Sequence, residues 1–231
     1  MLELDLVKMK VIAKMMSDFP SKFGIPRQSG IVDSLRSTII FEPEFRNTDS
    51  LRGLESFSHL WLIWHFSEAV RNGWSPTVRP PRLGGNKRLG VFATRSPFRP
   101  NAIGLSSVKI LGIEKTDTYG TVIHVAGADL MDGTPIFDIK PYIPYCDCHT
   151  DASGGFTETA RDYLLDVNIG DDLLMKVPEN KREPLIDVLS HDPRPSYQQD
   201  SERVYGLAFS DLNVRFQVKD GQLTVIEITE P

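Results

Sequence analysis

Seven short runs of β-branched and aromatic residues in the first 145 residues limit the folds that this chain can adopt. They lie at residues 6–12, 37–41, 60–66, 89–93, 108–113, 121–126 and 136–139. Gly, Pro and Asn separate many of them, as is typical of strands joined by turns. Long amphipathic helical patterns between the runs are missing, which argues against a parallel doubly wound sheet. We therefore expect a mainly β fold, an antiparallel sandwich or barrel, with one short helix around residues 66–72.

A small, polar stretch at residues 149–157 (HTDASGGFT) indicates a linker, after which the pattern changes. Residues 182–189 have a helical composition. Three strand-like runs follow, at residues 204–209, 213–218 and 223–228. An Asp220-Gly221 pair joins the last two and predicts a two-residue hairpin turn. We expect a β domain at residues 1–148 and a small C-terminal α+β domain at residues 158–231.

The composition favours a folded protein in a reducing compartment. Hydrophobic residues make up 40% of the 231 residues and charged residues 25%, which is enough for a packed core. Cys146 and Cys148 are one residue apart and cannot staple a fold. There is no apolar run long enough for a membrane span, and the first residues lack the layout of a signal peptide. We expect a cytoplasmic protein with no membrane association.

The net charge of −5 argues weakly against a nucleic-acid partner, but one segment has the opposite character. Residues 69–113, here called the basic window, contain no Asp or Glu. Their eight cationic residues are Arg71, Arg79, Arg82, Lys87, Arg88, Arg95, Arg99 and Lys109. Such a segment makes a positive local field even on an acidic protein. The interleaved Gly and Pro residues fix the backbone shape, which favours a binding surface over the alternative, a solvated loop.

Several motifs resemble those of the TsaA-like (TrmO) family of tRNA methyltransferases. The most specific is GVFATRSPFRPNAIG at residues 90–104, in which Ala102 stands where the family usually has proline. Similar segments are PRQ at 26–28, GLESFSHLW at 53–61, DLMDGTP at 129–135 and DIKPY at 138–142. DPRP at 192–195 and DLNV at 211–214 resemble the extra domain of the bacterial members. The resemblance therefore covers nearly the whole chain.

This resemblance implies a TsaA-like antiparallel β-barrel with a small C-terminal α+β domain. It also implies that S-adenosylmethionine binds to the barrel and is contacted by the second subunit of a homodimer. The implied reaction is methylation of N6 of threonylcarbamoyladenosine next to the anticodon of tRNA. A metal is not expected, because the Cys146-Asp147-Cys148-His149 run is too tightly spaced for a usual zinc site and no second cysteine pair exists.

The implied cofactor-binding residues come from the family motifs. They are Pro26, Arg27, Gln28, His59, Leu60, Arg95, Leu105, Asp129, Leu130, Met131 and Asp132. Some have simpler alternatives that the sequence leaves open. His59 could be a hydrogen-bonded core residue, and Asp132-Gly133 could be only a β-turn. Arg95 could form only a surface salt bridge.

The implied substrate carries phosphates and a carboxylate, which cationic side chains would bind. The implied reaction requires accurate alignment of the acceptor nitrogen with the methyl group. The residues expected to bind the substrate are Arg79, Arg82, Arg88, Arg99 and Arg194. For the threonyl carboxylate, Arg99, Lys140 and Arg194 are the candidate partners. Methyl transfer is an in-line displacement that positioning accelerates, and a base near the acceptor N–H would add about 10²–10⁴-fold. The expected catalytic residues are Asp138, Lys140 and Tyr142. Asp138 is favoured as the base over Asp132 and Tyr142, while a purely structural Asp138–Lys140 pair and catalysis by positioning alone both stay open.

Two other functions fit the sequence in part. A non-catalytic module that binds RNA or a nucleotide would use the basic window equally well. A methyltransferase acting on a small metabolite would not need the window at all. A Rossmann-type methyltransferase is disfavoured, because no glycine-rich turn follows a strand and opens a helix.

Overall fold

Two β-sheets dominate the computed structural model, which describes residues 7–70, 73–80, 87–158, 164–195 and 200–230. The strands are β1 (Ala13–Met16), β2 (Arg36–Phe41), β3 (His59–His65), β4 (Thr77–Val78), β5 (Leu89–Gly90), β6 (Ile103–Thr116), β7 (Gly120–Ala126), β8 (Pro135–Pro141), β9 (Asp166–Asn168), β10 (Tyr205–Phe209), β11 (Leu212–Lys219) and β12 (Gln222–Thr229). The α-helices are α1 (Pro144–Asp147), α2 (Asp171–Leu174) and α3 (Glu179–Ser190). The mainly β architecture predicted from the sequence is thus confirmed.

Six antiparallel strands form a closed barrel in the order β1-β2-β7-β6-β3-β8, with β8 pairing back onto β1. Side chains alternate between the interior and the outside, as the pleat of a strand requires. In β3, Leu60, Leu62 and Trp64 point into the barrel, while the residues between them face outward. The barrel interior is filled mainly by Ala13, Met15, Ile39, Phe41, Leu60, Leu62, Trp64, Val108, Ile123, Val125, Ala128, Leu130 and Ile136.

The C-terminal residues form a four-stranded sheet in the order β10-β11-β12-β9. β9 runs parallel to β12, and α3 packs on this sheet through Leu185, Val188 and Leu189. The predicted hairpin turn between β11 and β12 is confirmed: Asp220 has φ +50° and Gly221 has φ +81°. Positive φ at both central residues is the conformation that an Asp-Gly pair favours.

A loop of the N-terminal region packs into the C-terminal core and not into the barrel. Phe19, Val32 and Leu35 are members of the same buried cluster as α3 and β10–β12, and the Phe19 ring meets the Phe209 ring edge-on at 5.6 Å. Gly24 has φ +89°, and a Cβ there would overlap Leu207. In packing, therefore, residues 17–35 join the C-terminal unit, although in sequence they lie within the proposed domain 1–148.

Three element predictions were wrong in detail. Residues 7–12 form no strand, and the first strand begins at Ala13; Leu6 lies outside the described residues. Only Leu89 and Gly90 of the run at 89–93 are extended, and a 3₁₀ turn at Val91–Ala93 follows them. The expected helix at 66–72 is a 3₁₀ turn at Ser67–Ala69, with residues 71 and 72 outside the described part of the chain.

Candidate cofactor and RNA site

A buried chain of hydrogen bonds connects the barrel interior to Asp129. Trp64 Nε1 donates to Ser106 Oγ at 3.0 Å, and Ser106 Oγ donates to Asp129 Oδ1 at 2.6 Å. Ser106 is only 1% exposed. The Trp64 indole lies directly against Gly104, where any Cβ would overlap the ring. The orientation of the Asp129 carboxylate is therefore fixed by packing as well as by hydrogen bonds.

Asp129 lies just beyond the end of β7 and is half-buried. Burial raises the pKa of its carboxyl, and the Ser106 hydroxyl, the backbone N–H groups of Asp129 and Ser29, and the charge of Arg95 oppose that rise only in part. A carboxylate that loses hydration gains from a cationic partner. Asp129 is therefore well placed to bind a positively charged group.

The loop at residues 26–30 brings further predicted residues to Asp129. Arg95 Nη1 donates a hydrogen bond to Gln28 Oε1, and the Ser29 backbone bonds to the Asp129 carboxylate. Gly30 N donates to Gly127 O at 2.8 Å, which pins the loop to the segment that carries Asp129. Three motifs that are distant in sequence, PRQ, the long signature and DLMDGTP, thus converge in space.

The DPRP segment supports the same loop from the C-terminal side. Arg27 Nη2 lies 3.4 Å from the backbone carbonyl of Arg194, to which it donates. The Arg194 guanidinium is buried and binds both carboxylate oxygens of Asp192, at 2.8 and 2.9 Å. Arg194 was predicted to bind the substrate, but its charged group is already held by a carboxylate inside the protein. Arg194 therefore lies behind the loop, and its role in substrate binding stays a prediction.

The other residues of the DLMDGTP motif make contacts with the barrel core and with Ser17. Leu130 is buried in the barrel core, and its carbonyl accepts a hydrogen bond from Ser17 Oγ at 2.9 Å. Asp132 is exposed, and its Oδ1 accepts a bond from Ser17 N at 2.9 Å. With Gly133 at φ +73°, Asp132 has the geometry of a turn-capping residue, which was the simpler alternative. Met131 is half-buried beside them.

The predicted catalytic residues lie on the outer face of the barrel. Lys140 Nζ is 2.8 Å from Asp138 Oδ2, and both side chains are substantially exposed. In the sheet, Lys140 is opposite Trp61 and Asp138 is opposite Ile63, and both of these partners point outward. The hydrogen-bond chain from Trp64 to Asp129 is on the inner side of the barrel. Within a single subunit, Asp138 and Lys140 therefore lie on the opposite side of the sheet from that hydrogen-bond chain.

Tyr142 adds an aromatic group to this outer face. Its ring centroid is 5.4 Å from that of Trp61 and 6.2 Å from that of His59. Partial desolvation raises the pKa of the Tyr142 hydroxyl, with Cys148 and Asp147 adding to the effect. The phenol therefore stays protonated at neutral pH, which suits a hydrogen-bond donor and argues against Tyr142 as a base.

Asp147, which was not among the predicted site residues, holds the Trp61 indole in place beside Tyr142. Asp147 Oδ2 accepts bonds from Ile143 N at 2.8 Å and from Trp61 Nε1 at 2.9 Å. The Ile143 amide first, and the indole second, lower the pKa of Asp147, so the carboxylate is ionised. From the sequence alone residues 146–149 suggest only a poorly spaced zinc site, because the pairing of Asp147 with Trp61 depends on the fold.

The remaining predicted cofactor residues are spread over both sides of β3 and β6. The Leu60 side chain is completely buried in the barrel core. His59 is half-exposed on the outer face, and its Nδ1 lies 2.9 Å from Ser58 Oγ; it is hydrogen-bonded but is not a core residue. Leu105 is exposed on the outer face of β6 opposite Ile63. Pro26 lies in the loop beside Arg27.

In the basic window, the strands β4 and β5 are followed by a turn-rich segment that leads into β6. β4 and β5 pair as a short hairpin, and Arg79, Lys87 and Arg88 are exposed on it. Arg82 lies outside the described residues. Arg99 is half-buried, and its Nη1 donates to Thr94 O at 3.4 Å.

The described residues contain neither a metal-binding cluster nor a membrane-spanning helix. No group of three or more His, Cys, Asp or Glu side chains there could hold a metal ion. No helix in the same residues has both the length and the apolar character needed to cross a membrane.

Comparison with known proteins defines the class to which this fold and site belong. Residues 14–148 match the family described as tRNA-methyltransferase O N-terminal domain, and residues 164–231 match the TrmO C-terminal domain. The chain therefore belongs to the tRNA-methyltransferase O family, and the resemblance of its sequence motifs is confirmed.

Individual relatives agree over most of the chain. A tRNA (adenine(37)-N6)-methyltransferase of Escherichia coli (strain K12) is 39% identical over 220 residues, covering 92% of this chain and 93% of the relative. A protein of the same name from Eikenella corrodens is 44% identical over 172 residues, covering 74% of this chain and 96% of the relative. The crystal structure of a TrmO from P. aeruginosa superposes with a TM-score of 0.81 at 32% identity over the whole of both chains.

Proposed function

We propose that this protein uses S-adenosylmethionine to methylate N6 of the adenosine next to the anticodon of tRNA, and that it acts on the threonylcarbamoyl form of that base. Relatives named tRNA (adenine(37)-N6)-methyltransferase support the reaction, and relatives named as S-adenosylmethionine-dependent or S-adenosyl-L-methionine-binding support the cofactor. The observation that carries the proposal is the convergence of Gln28, Ser29, Arg95 and Asp129.

The residues of this cluster fit the chemistry of the cofactor. S-adenosylmethionine supplies an electrophilic methyl group and bears a sulfonium, an ammonium and a carboxylate. The partly desolvated Asp129 carboxylate suits the cationic groups, and the exposed Arg95 guanidinium suits the carboxylate. The backbone of the 26–30 loop offers donors and acceptors for a nucleoside edge.

Alignment of the acceptor is the main task of the remaining residues in this proposal. Asp138 is the proposed base, and Lys140 holds its carboxylate in place at 2.8 Å. Asp132, whose Oδ1 accepts a bond from the Ser17 amide, stays the alternative base, while Tyr142 keeps its proton. Tyr142 acts instead as a donor on the same surface.

A homodimer would bring the proposed cofactor residues and the proposed catalytic residues together in one site. Asp138 and Lys140 are on the outer face of the barrel, whereas the Asp129 relay is on the inner side. The outer face also exposes Leu105 and the edge of Trp61, which is apolar surface that a second subunit would cover. We infer that each site combines the cofactor cluster of one subunit with the outer face of another, in a cytoplasmic enzyme.

One assay tests the function directly. Wild-type protein is incubated with methyl-labelled cofactor and with tRNA that carries or lacks the threonylcarbamoyl group. Label should appear in the modified tRNA. RNA binding without label transfer would instead indicate a non-catalytic module, and label in small metabolites would indicate a different methyltransferase.

A matched pair of variants tests the proposed cofactor cluster. Arg95→Ala should weaken cofactor binding about 5- to 100-fold by calorimetry, the scale for losing a charged hydrogen bond. Arg52→Ala is the control, since Arg52 is highly exposed and pairs only locally with Asp49. Unchanged affinity in Arg95→Ala would remove Arg95 from the site.

A further inference from the structure

Two large aromatic side chains stand exposed at the base of the β4–β5 hairpin. Trp74 precedes β4 and Phe92 follows β5, and a bond from Val91 N to Pro76 O of 2.9 Å closes the hairpin between them. Trp74 is 54% exposed and Phe92 71%. Their ring centroids are 6.1 Å apart with an interplanar angle of 32°. Each ring therefore contacts the other while keeping much of its surface open to solvent.

Nothing in the two hydrophobic cores accounts for these rings. Neither belongs to the barrel core or to the C-terminal core. Exposing apolar area costs about 25 cal/mol per Å² relative to burying it, so two adjacent exposed aromatics are unfavourable in the free protein. A ligand that covered them would recover that free energy.

The surrounding charge identifies the kind of ligand. Arg79, Lys87 and Arg88 are exposed on the same hairpin, and Arg88 Nη1 reaches Thr77 Oγ1 at 3.4 Å. No acidic residue occurs between residues 69 and 113. Aromatic faces beside guanidinium groups suit unpaired nucleotides, whose bases stack while their phosphates meet the cations. A double-stranded stem would offer phosphates but no open base faces.

We propose that Trp74 and Phe92 form a stacking platform for unpaired bases of the anticodon loop next to the target adenosine. The proposal rests on the proposed function and adds to it a site that distinguishes single-stranded from double-stranded RNA. Bases that stack on the platform are held out of the loop's own stack. This would help to present the neighbouring adenosine to the methyl donor.

The platform is tested with a short RNA hairpin of the anticodon stem and loop, carrying 2-aminopurine beside the target position. Stacking on an aromatic ring quenches 2-aminopurine fluorescence. Wild-type protein should quench it, whereas Trp74→Ala and Phe92→Ala should each weaken RNA binding about 5- to 100-fold and leave the probe bright. Trp74→Phe and Phe92→Tyr keep a ring and should retain most of the affinity. Tyr119→Ala, at another exposed aromatic, is the control and should bind as wild type.

The salt dependence separates stacking from charge. Trp74→Ala removes no cation, so the slope of log affinity against log salt should equal that of wild type. Cofactor affinity and molecular mass in solution should also be unchanged. If Trp74→Ala and Phe92→Ala bind the hairpin as tightly as wild type, the platform is refuted while the proposed function stands. If the two variants instead change the molecular mass of the assembly in solution, these rings belong to a subunit interface and the proposal is wrong. Failure of wild-type protein to bind any tRNA or hairpin would overturn the proposed function itself.

Discussion

Burial of the Asp129 carboxylate costs stability at neutral pH, and the same loss of hydration suits the cofactor role proposed for it. Burial raises the pKa of its carboxyl above the ordinary value of 3.8. Well below that pH the group is protonated in both the folded and unfolded states. As the pH rises, the unfolded chain ionises first, and the free energy of unfolding falls until the folded group ionises as well.

We therefore expect Asp129→Asn to gain stability relative to wild type as the pH rises from about 4 towards neutrality. The amide can still accept the Ser106 hydrogen bond but carries no charge. Cofactor affinity should fall about tenfold or more at neutral pH, because the cationic group loses its partner. Urea unfolding at several pH values measures the first effect and calorimetry the second. A stability difference that did not depend on pH would contradict the assignment.

Gly104 supports the same relay by leaving room for Trp64. An added Cβ would overlap the indole, so Gly104→Ala should destabilise the protein by about 1–3 kcal/mol in urea unfolding, as overpacking does. Gly112→Ala is a matched control on the same strand, where a Cβ meets nothing within 4 Å. Equal stability of the two variants would show that Trp64 can move away without loss.

At the scale of elements, strands with regular alternation could be predicted from the sequence, whereas tertiary contacts could not. The β3 strand is predictable because its inward and outward residues alternate. The turn between β11 and β12 is predictable from the Asp-Gly pair. The outer-face position of Asp138 follows from the register of β8 against β3, which the sequence does not contain. Ser106, Trp64 and Asp147 were missed because their roles come from long-range pairing.

The segment 17–35 depends on α3 through a largely buried ion pair. Lys181 Nζ lies 2.5 and 2.6 Å from the two carboxylate oxygens of Asp18, and the side chains are 22% and 8% exposed. Lys181→Met leaves the buried Asp18 carboxylate without its cation and should cost about 3–5 kcal/mol. Because the segment also carries Gln28, cofactor affinity should fall as well.

Two further variants check this interpretation. Lys10→Met removes a fully solvated pair with Glu44 and should change stability by less than about 0.5 kcal/mol. Adding Asp18→Asn to Lys181→Met should restore much of the lost stability, since no unpaired charge remains. If the double variant were no more stable than Lys181→Met alone, the ion pair would not be the link between the segment and the helix.

At the scale of the whole molecule, the C-terminal unit supports the proposed cofactor loop from behind. Ile25 and Ile31, which flank the loop, pack against the C-terminal core, and Arg27 of the loop bonds to the carbonyl of Arg194. Binding of tRNA to the C-terminal unit or the basic window would therefore reach the cofactor cluster through direct contacts. The sequence could not predict this, because residues 17–35 and 192–195 are joined only in space.

The structure also narrows the choice of substrate-reading cations. With the buried Arg194 held by Asp192, Arg99 and Lys140 remain as partners for the threonyl carboxylate. Lys140 also pairs with Asp138, but both of these side chains are exposed. A site built around a charged group rejects an analogue that lacks it, because its own cation is then left unpaired. We expect tRNA without the threonylcarbamoyl group to be methylated at least about 100-fold more slowly than the modified tRNA, a conservative bound for this kind of discrimination.

Variants of the two cations identify the one that reads the carboxylate. If Arg99 is the partner, Arg99→Met should lower the rate on modified tRNA and leave the slow rate on unmodified tRNA nearly unchanged. Lys140→Met should lower both rates, because Lys140 also holds the proposed base Asp138. Lys115→Met, at an exposed lysine elsewhere on the barrel, should alter neither rate. The measurement is the ratio of kcat/KM for the two tRNAs, taken for each variant in parallel. Comparable rates of the wild-type enzyme on both tRNAs would mean that the carboxylate is not read, and that the enzyme accepts the adenosine itself.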